Sequence, residues 1–205
     1  MTMIPVYIAT EDELSEVVLR RILRDLPLLM VSRSLRRGGF GYLRRNIQAW
    51  NQAAKGVPFI VLTDLDQTPC ASDLIVDWLR PHSRHPNLLL RVAVREVESW
   101  LLADRDHLTT FLKVTGSPIP DNPDALGDPK ATLVQLARRS RNRSIREDIA
   151  PMPGSTAKQG PNYNGALCPF VEKIWSPSRA REKSRSLNRA MQAIEALHSR
   201  NQSDH

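Results

Sequence analysis

Short apolar runs alternate with helix-patterned segments over the first hundred residues, and that alternation narrows the possible folds more than any other feature. Residues 5–9 read as a strand, after which Leu14, Val17, Val18, Leu19, Ile22 and Leu23 recur at helical spacing. Thr10 is placed to cap this helix, with Glu13 three residues on to complete a capping box. Residues 28–31 read as a second strand, Gly38-Gly39-Phe40-Gly41 breaks the chain, and residues 42–54 are helical up to Gly56. Phe59-Ile60-Val61-Leu62 is too short for a helix and apolar throughout, as a strand buried on both faces must be. A helix over 72–79, a loop over 81–86, a strand over 88–94 and a helix over 96–103 continue the pattern, with Trp100, Leu101 and Leu102 facing inward. This order predicts an α/β fold with a mostly parallel sheet flanked by helices.

The remainder differs in kind. Helices are expected over 107–114, 130–137 and 186–197, joined by loops rich in proline and glycine, the longest over 149–169; residues 199–205 are expected to fray. The domain reading is therefore 1–104 as the α/β unit and 105–205 as a helical, loop-rich extension packed on the same domain. At 205 residues the chain is long enough to bury a core without a disulfide or metal staple. Its 41% apolar content argues against global disorder. No apolar run nears the roughly 18 residues of a membrane span, and residues 1–10 lack a secretory pattern. Cys70 and Cys168 stand far apart without metal-ligand spacing, which suits a reduced, cytoplasmic protein.

Charge is unevenly spread. Of 29 Lys+Arg and 22 Asp+Glu, residues 129–205 hold 14 and 6, so a net +8 sits there beside a net −1 in residues 1–128. A basic extension beside a carboxylate-rich unit suits a polyanionic partner, nucleic acid above all, although charge alone equally fits a basic soluble protein that binds none.

The carboxylates have a pattern of their own. Asp64 and Asp66 follow the buried run at 59–62, and strand alternation would point both the same way with Leu65 opposite. Glu11 follows the first strand, and Glu96 and Glu98 follow the strand at 88–94. In a parallel sheet all those strand ends share one edge, where open α/β sheets bind ligands. Converging carboxylates repel unless a cation or a proton compensates, and hard oxygen ligands select Mg²⁺, Mn²⁺ or Ca²⁺ over soft metals. Each acid also has a plainer reading, as a helix-terminal charge or a solvated side chain. Arg95 and Lys130 are basic candidates for a phosphate near that edge, Lys130 equally fitting a solvated first-turn residue. Arg138, Arg139, Arg141, Arg143 and Arg146 run without an acid between them and suit backbone phosphates, or a solvated helix end. Trp50, Trp78, Trp100 and Trp175 read as core, and the five histidines show no ligand spacing.

Glu11 in Ile8-Ala9-Thr10-Glu11-Asp12, with Asp64 and Asp66 in Val61-Leu62-Thr63-Asp64-Leu65-Asp66, resembles a Toprim domain, the catalytic fold of topoisomerases, bacterial primases and overcoming-lysogenization-defect nucleases. The chain further resembles a bacterial family of small Toprim-like proteins of unknown function in its segments at 93–104 (AVREVESWLLAD), 128–130 (DPK), 160–164 (GPNYN) and 186–190 (SLNRA). It departs from the usual Toprim pattern in having Asp12, not glycine, after the glutamate. The resemblance implies a metal-dependent nuclease acting on DNA or RNA: Glu11, Asp64 and Asp66 would hold one or two Mg²⁺ or Mn²⁺ ions, Glu96 or Glu98 would complete the ligands of the second ion, and Lys130 would assist catalysis. Arg95, Arg138, Arg139, Arg141 and Arg143 would then meet nucleic acid. It also implies a role in phage defence beside a separate ATPase partner protein, since no Walker A loop occurs here. A non-catalytic nucleic-acid-binding module, and a metal-dependent phosphatase or nucleotide hydrolase, are the rival readings. No tyrosine lies within the carboxylate segments; Tyr163 reads as a loop anchor, so a covalent topoisomerase-like route has little support.

Overall fold

The computed structural model describes residues 3–36, 38–66, 68–115 and 119–203. Its first part runs β1 (Ile4–Thr10), α1 (Glu13–Leu23), β2 (Leu29–Leu35), α2 (Gly39–Ala53), β3 (Phe59–Asp64), α3 (Ala71–Leu79), β4 (Leu88–Ala93) and α4 (Glu98–Ala103). The four strands form one sheet in the order β2-β1-β3-β4, every pair parallel. The α/β class with a parallel sheet flanked by helices is thus the fold. β1, β3 and β4 are buried on both faces because their side chains alternate between two cores, whereas β2, at the sheet edge, buries only Leu29 fully. Val6, Ile8, Ile60, Leu62 and Leu89 join α1 and α4 on one face, and Ala9, Phe59, Val61, Leu88 and Leu90 join α2 and α3 on the other.

That two-faced arrangement creates a crevice. β1 and β3 are neighbours, yet β1 feeds α1 on one face while β3 feeds α3 on the opposite face. The two loops diverge at the carboxyl edge, and the gap between them is where ligands enter open parallel sheets.

The rest of the chain forms α5 (Arg105–Leu112), α6 (Pro129–Arg138), α7 (Arg143–Ile149), α8 (Tyr163–Lys173), α9 (Pro177–Ala180) and α10 (Arg185–Ser203). The apolar side chains of these helices, from Leu108 to Leu197, belong to the same cluster as Val6 and Ile8. All four tryptophans are buried; Trp100 Nε1 donates to Ser186 Oγ at 2.7 Å and Trp175 Nε1 to the Trp100 carbonyl at 3.1 Å. The basic neighbours of Trp175 in sequence therefore do not make it a base-stacking platform.

Several elements depart from the sequence reading. The expected loop over 149–169 becomes helical from Tyr163 onward, with Pro169 inside α8. Tyr163, Leu167, Phe170 and Val171 form an apolar stripe buried beside α1. Burial worth about 1.5–3 kcal/mol for each large side chain outweighs the roughly 3 kcal/mol that an internal proline costs. α7 was not expected either: its charged surface hides a single i,i+4 pair, Ile145 and Ile149, behind an Asn142 cap. α10 continues to Ser203 instead of fraying from 199; residues 204 and 205 lie outside the described chain. The helix expected from 96 begins at Glu98. Among the described residues no helix is long and apolar enough to cross a membrane.

Candidate functional site

The carboxyl edge is organised first by a helix cap. Asp12, not Thr10, is the N-cap of α1: its carboxylate accepts from the Ser15 amide at 2.8 Å, while Thr10 Oγ1 donates to the Asp12 carbonyl. The acid standing where the Toprim resemblance has glycine is therefore engaged locally, and Glu11 reaches across to the neighbouring strand. Glu11 Oε1 accepts from Thr63 Oγ1 at 2.5 Å and from the Asp64 amide at 2.9 Å. Adjacent parallel strands thus bring two sequence-distant acids together, with Thr63 as an unforeseen clasp.

β3 ends at Asp64, so strand alternation does not carry Asp66 to the same side. Leu65 drops into the α2–α3 core, and Asp66 sits exposed on a left-handed turn at φ 47°. Arg95, also left-handed at φ 64°, braces that turn. Its carbonyl accepts from the Asp66 amide at 3.0 Å, and its Nη1 donates to the Asp66 carbonyl at 2.9 Å. Two non-glycine residues in this region cost on the order of 1 kcal/mol each, a strain held by the paired loops.

Glu98 occupies the centre of the edge. It is 2% exposed, at the first turn of α4. Its Oε1 accepts from the Tyr163 hydroxyl at 2.9 Å and lies 3.5 Å from Lys130 Nζ. Glu96 accepts from the Lys130 amide at 2.9 Å through Oε2, and its Oε1 is 4.0 Å from Lys130 Nζ. Lys130 and Tyr163 are delivered by the starts of α6 and α8. Gly160 sets the second start: a Cβ there would lie 2.3 Å from the Asp148 carbonyl oxygen, so only glycine lets the loop before α8 lie on the end of α7. Tyr163 is an anchor, as expected, but on a helix and to a site carboxylate.

The charges are poorly compensated. Burial, then Glu98, Glu11, Asp12 and Asp66, push the Asp64 carboxyl well above its usual range. Burial raises Glu98 too, with Lys130 opposing and Glu96 reinforcing. Glu11 is raised by burial, partly offset by its bonds from Thr63 and Asp64, with Asp66 and Asp12 adding repulsion. Burial would lower the Lys130 ammonium, yet Glu98, Glu96, Asp64 and Asp12 together hold it above its ordinary value. Burial and Glu98 drive the Tyr163 phenol well up, so it remains a donor and not a nucleophile. Asp64 Oδ1 and Glu98 Oε2 are sealed from solvent and accept no hydrogen bond.

Two buried carboxylate oxygens without partners, among acids that repel one another, are hard donors suited to a divalent cation. Asp64 and Glu98 fit that role, with Glu11, Asp66 and Glu96 at the margin. Among the described residues no group of three or more His, Cys, Asp or Glu side chains is arranged to hold a metal ion. The arginine run is not part of the edge. α6 starts at the edge beside Lys130 and reaches Arg138 about 12 Å further along its axis. Arg138, Arg139 and Arg141 are exposed there, Arg143 pairs with Glu147 at 2.7 Å, and Arg146 donates to the Ser140 carbonyl.

No family model and no curated protein sequence matches the chain. Among solved structures it is similar to the C-terminal region of the OLD protein of Xanthomonas campestris pv. campestris, with a TM-score of 0.38 and 14% identity over 97% of each chain. At that degree of likeness the functional reading has to come from the residues of the acidic edge.

Proposed function

We propose that the chain is a divalent-metal-dependent nuclease that hydrolyses phosphodiester bonds at the carboxyl edge of its sheet. The observation that carries this reading is the pair of buried, unpartnered oxygens on Asp64 and Glu98, whose negative charges Lys130 answers only in part. The Toprim resemblance of Glu11, Asp64 and Asp66 agrees with it. Asp64 and Glu98 would hold Mg²⁺ or Mn²⁺, with Glu11, Asp66 and Glu96 at the margin to complete its shell or that of a second ion. Such an ion, when bound, polarises the phosphate and lowers the pKa of water near it.

The chain's own residues do the rest. Thr63 and the Asp64 amide fix the Glu11 carboxylate, and the Tyr163 hydroxyl orients Glu98. Lys130 keeps its proton and sets a fixed positive charge where negative charge builds on the phosphate oxygens. Arg95 holds the Asp66 turn while leaving other guanidinium donors for a phosphate. Hydrolysis breaks one P–O bond, forms another to the oxygen of water, and passes the water's proton to the departing oxygen.

The test is cleavage of plasmid, single-stranded DNA and RNA with Mn²⁺, Mg²⁺ or EDTA, beside an Asp64→Asn/Asp66→Asn variant. Cleavage should require metal and fall at least about a hundredfold in the variant. Unchanged cleavage in EDTA or in the variant overturns the reading, and turnover confined to free nucleotides replaces it with a nucleotide hydrolase.

A further inference from the structure

A second polar region lies outside the carboxylate rim, on the open side of the sheet. Among the described residues β4 is an edge strand, paired only with β3. Beyond it α3, β4 and the start of α10 enclose a cavity of about 310 Å³, and a second hollow of about 520 Å³ continues along α3, sharing Ser72 and Ile75 with the first. The combined groove is lined by Arg91, Arg185 and Arg189 at one end and by Arg80 and Arg84 at the other.

Its charge is one-sided. Asp124 is the acid in the lining, and it is already consumed by Ser184 Oγ at 2.8 Å, the Ser186 amide at 2.8 Å and Ser186 Oγ at 3.2 Å. Arg185 and Arg189, one helical turn apart on α10, are exposed, and their guanidinium groups make no hydrogen bond or ion pair among the described residues. Arg91 rises from the middle of β4 with its Nε sealed from solvent and unbonded. Burial, reinforced by Arg84, pulls that guanidinium down to about 10. A desolvated cation facing a second one is an unfavourable arrangement for the empty protein, and an anion between them relieves it. Ile75, Val92 and Val94 supply apolar wall beside these charges.

The position of the groove matters as much as its charge. Val94, at its upper end, adjoins Arg95, which braces the turn carrying Asp66. Ala71 and Ser72, on the opposite wall, open the helix that follows that same turn. A strand lying in the groove therefore arrives at the rim where Asp64 and Asp66 stand.

We propose that the groove between α3, β4 and α10 seats the phosphodiester backbone of the nucleic-acid strand that the carboxylate rim cuts, with Arg91, Arg185 and Arg189 as its phosphate contacts. The identity of the occupant rests on the nuclease reading. Charged side chains also guard sheet edges against pairing with other chains, but guarding an edge needs no cavity and no buried guanidinium.

Binding is measured by fluorescence anisotropy of a labelled single-stranded 20-mer, DNA and RNA in separate arms, in EDTA so that no hydrolysis intervenes. Arg185→Ala/Arg189→Ala is compared with Arg24→Ala/Lys173→Ala, which removes the same charge from exposed sites at the ends of α1 and α8, outside the groove lining. The groove variant should lose on the order of tenfold in affinity at 0.1 M salt, and its salt dependence should be shallower by about 1.4 in log–log slope. The comparison variant should stay near wild type, and thermal melts of both should match it. A groove variant that binds like wild type, equal losses in both variants, or a wild type that binds no strand each overturn the proposal. The two readings separate cleanly. Metal-dependent cleavage with unchanged groove-variant binding rejects the groove alone, whereas binding lost in the groove variant without cleavage in any metal rejects the nuclease alone.

Discussion

Asp64 illustrates how one side chain can be costly to the fold and useful to the site. Its Oδ1 is sealed without a partner, and Glu98 and Glu11 repel it from two other elements. Removing that charge should therefore stabilise the metal-free protein: Asp64→Asn in EDTA should gain about 1 kcal/mol or more in chemical denaturation. The sign of the pH dependence follows from the same cause. Asp64, Glu98 and Glu11 all bind protons more tightly folded than unfolded. The folded state then holds more protons between the ordinary carboxyl range and the raised values, so metal-free stability should fall as pH rises through that window. Urea midpoints taken from pH 4 to 8 in EDTA should show this decline, and Asp64→Asn should flatten it. A decline that the variant leaves intact would assign it to other groups.

At the scale of elements, the site depends on where helices begin. α4, α6 and α8 each start at the rim and deliver Glu98, Lys130 and Tyr163 from their first turns. α8 is held there by the close approach at Gly160, whose amide donates to the Ile149 carbonyl while the Asn162 amide donates to that of Asp148. Gly160→Ala would drive a methyl into backbone and should destabilise the protein by about 1–3 kcal/mol, read as a lowered denaturation midpoint. An unchanged midpoint would mean that this approach does not position α8. β1, β3, β4 and α1 to α4 were legible because burial on both faces and helical spacing leave direct marks in sequence, whereas β2, which buries only Leu29 fully, was read only over 28–31 and runs Leu29–Leu35. α7 and α8 were not, since a charged surface hides one and proline and glycine hide the other.

For the whole molecule, a sheet edge crowded with acids and a core packed on each face of that sheet predict that cation binding and folding are coupled. Mn²⁺ at about a hundred times its dissociation constant should raise stability by about 2.7 kcal/mol, visible as a melting shift that EDTA reverses and that Asp64→Asn lacks. No shift in the wild type would remove the metal from the proposed function. By itself the sequence determined the class of fold, the burial of its strands, and which acids stand at strand ends, because periodicity and chain order act locally. It placed Glu11, Asp64, Glu96 and Glu98 on one edge for that reason. Only the tertiary structure decided that Asp12 would cap α1, that Asp66 would leave the strand on a left-handed turn, and that Tyr163 and Lys130 would meet Glu98. Those outcomes depend on competition for hydrogen bonds and on contacts between segments 32 to 65 residues apart, which no local pattern records.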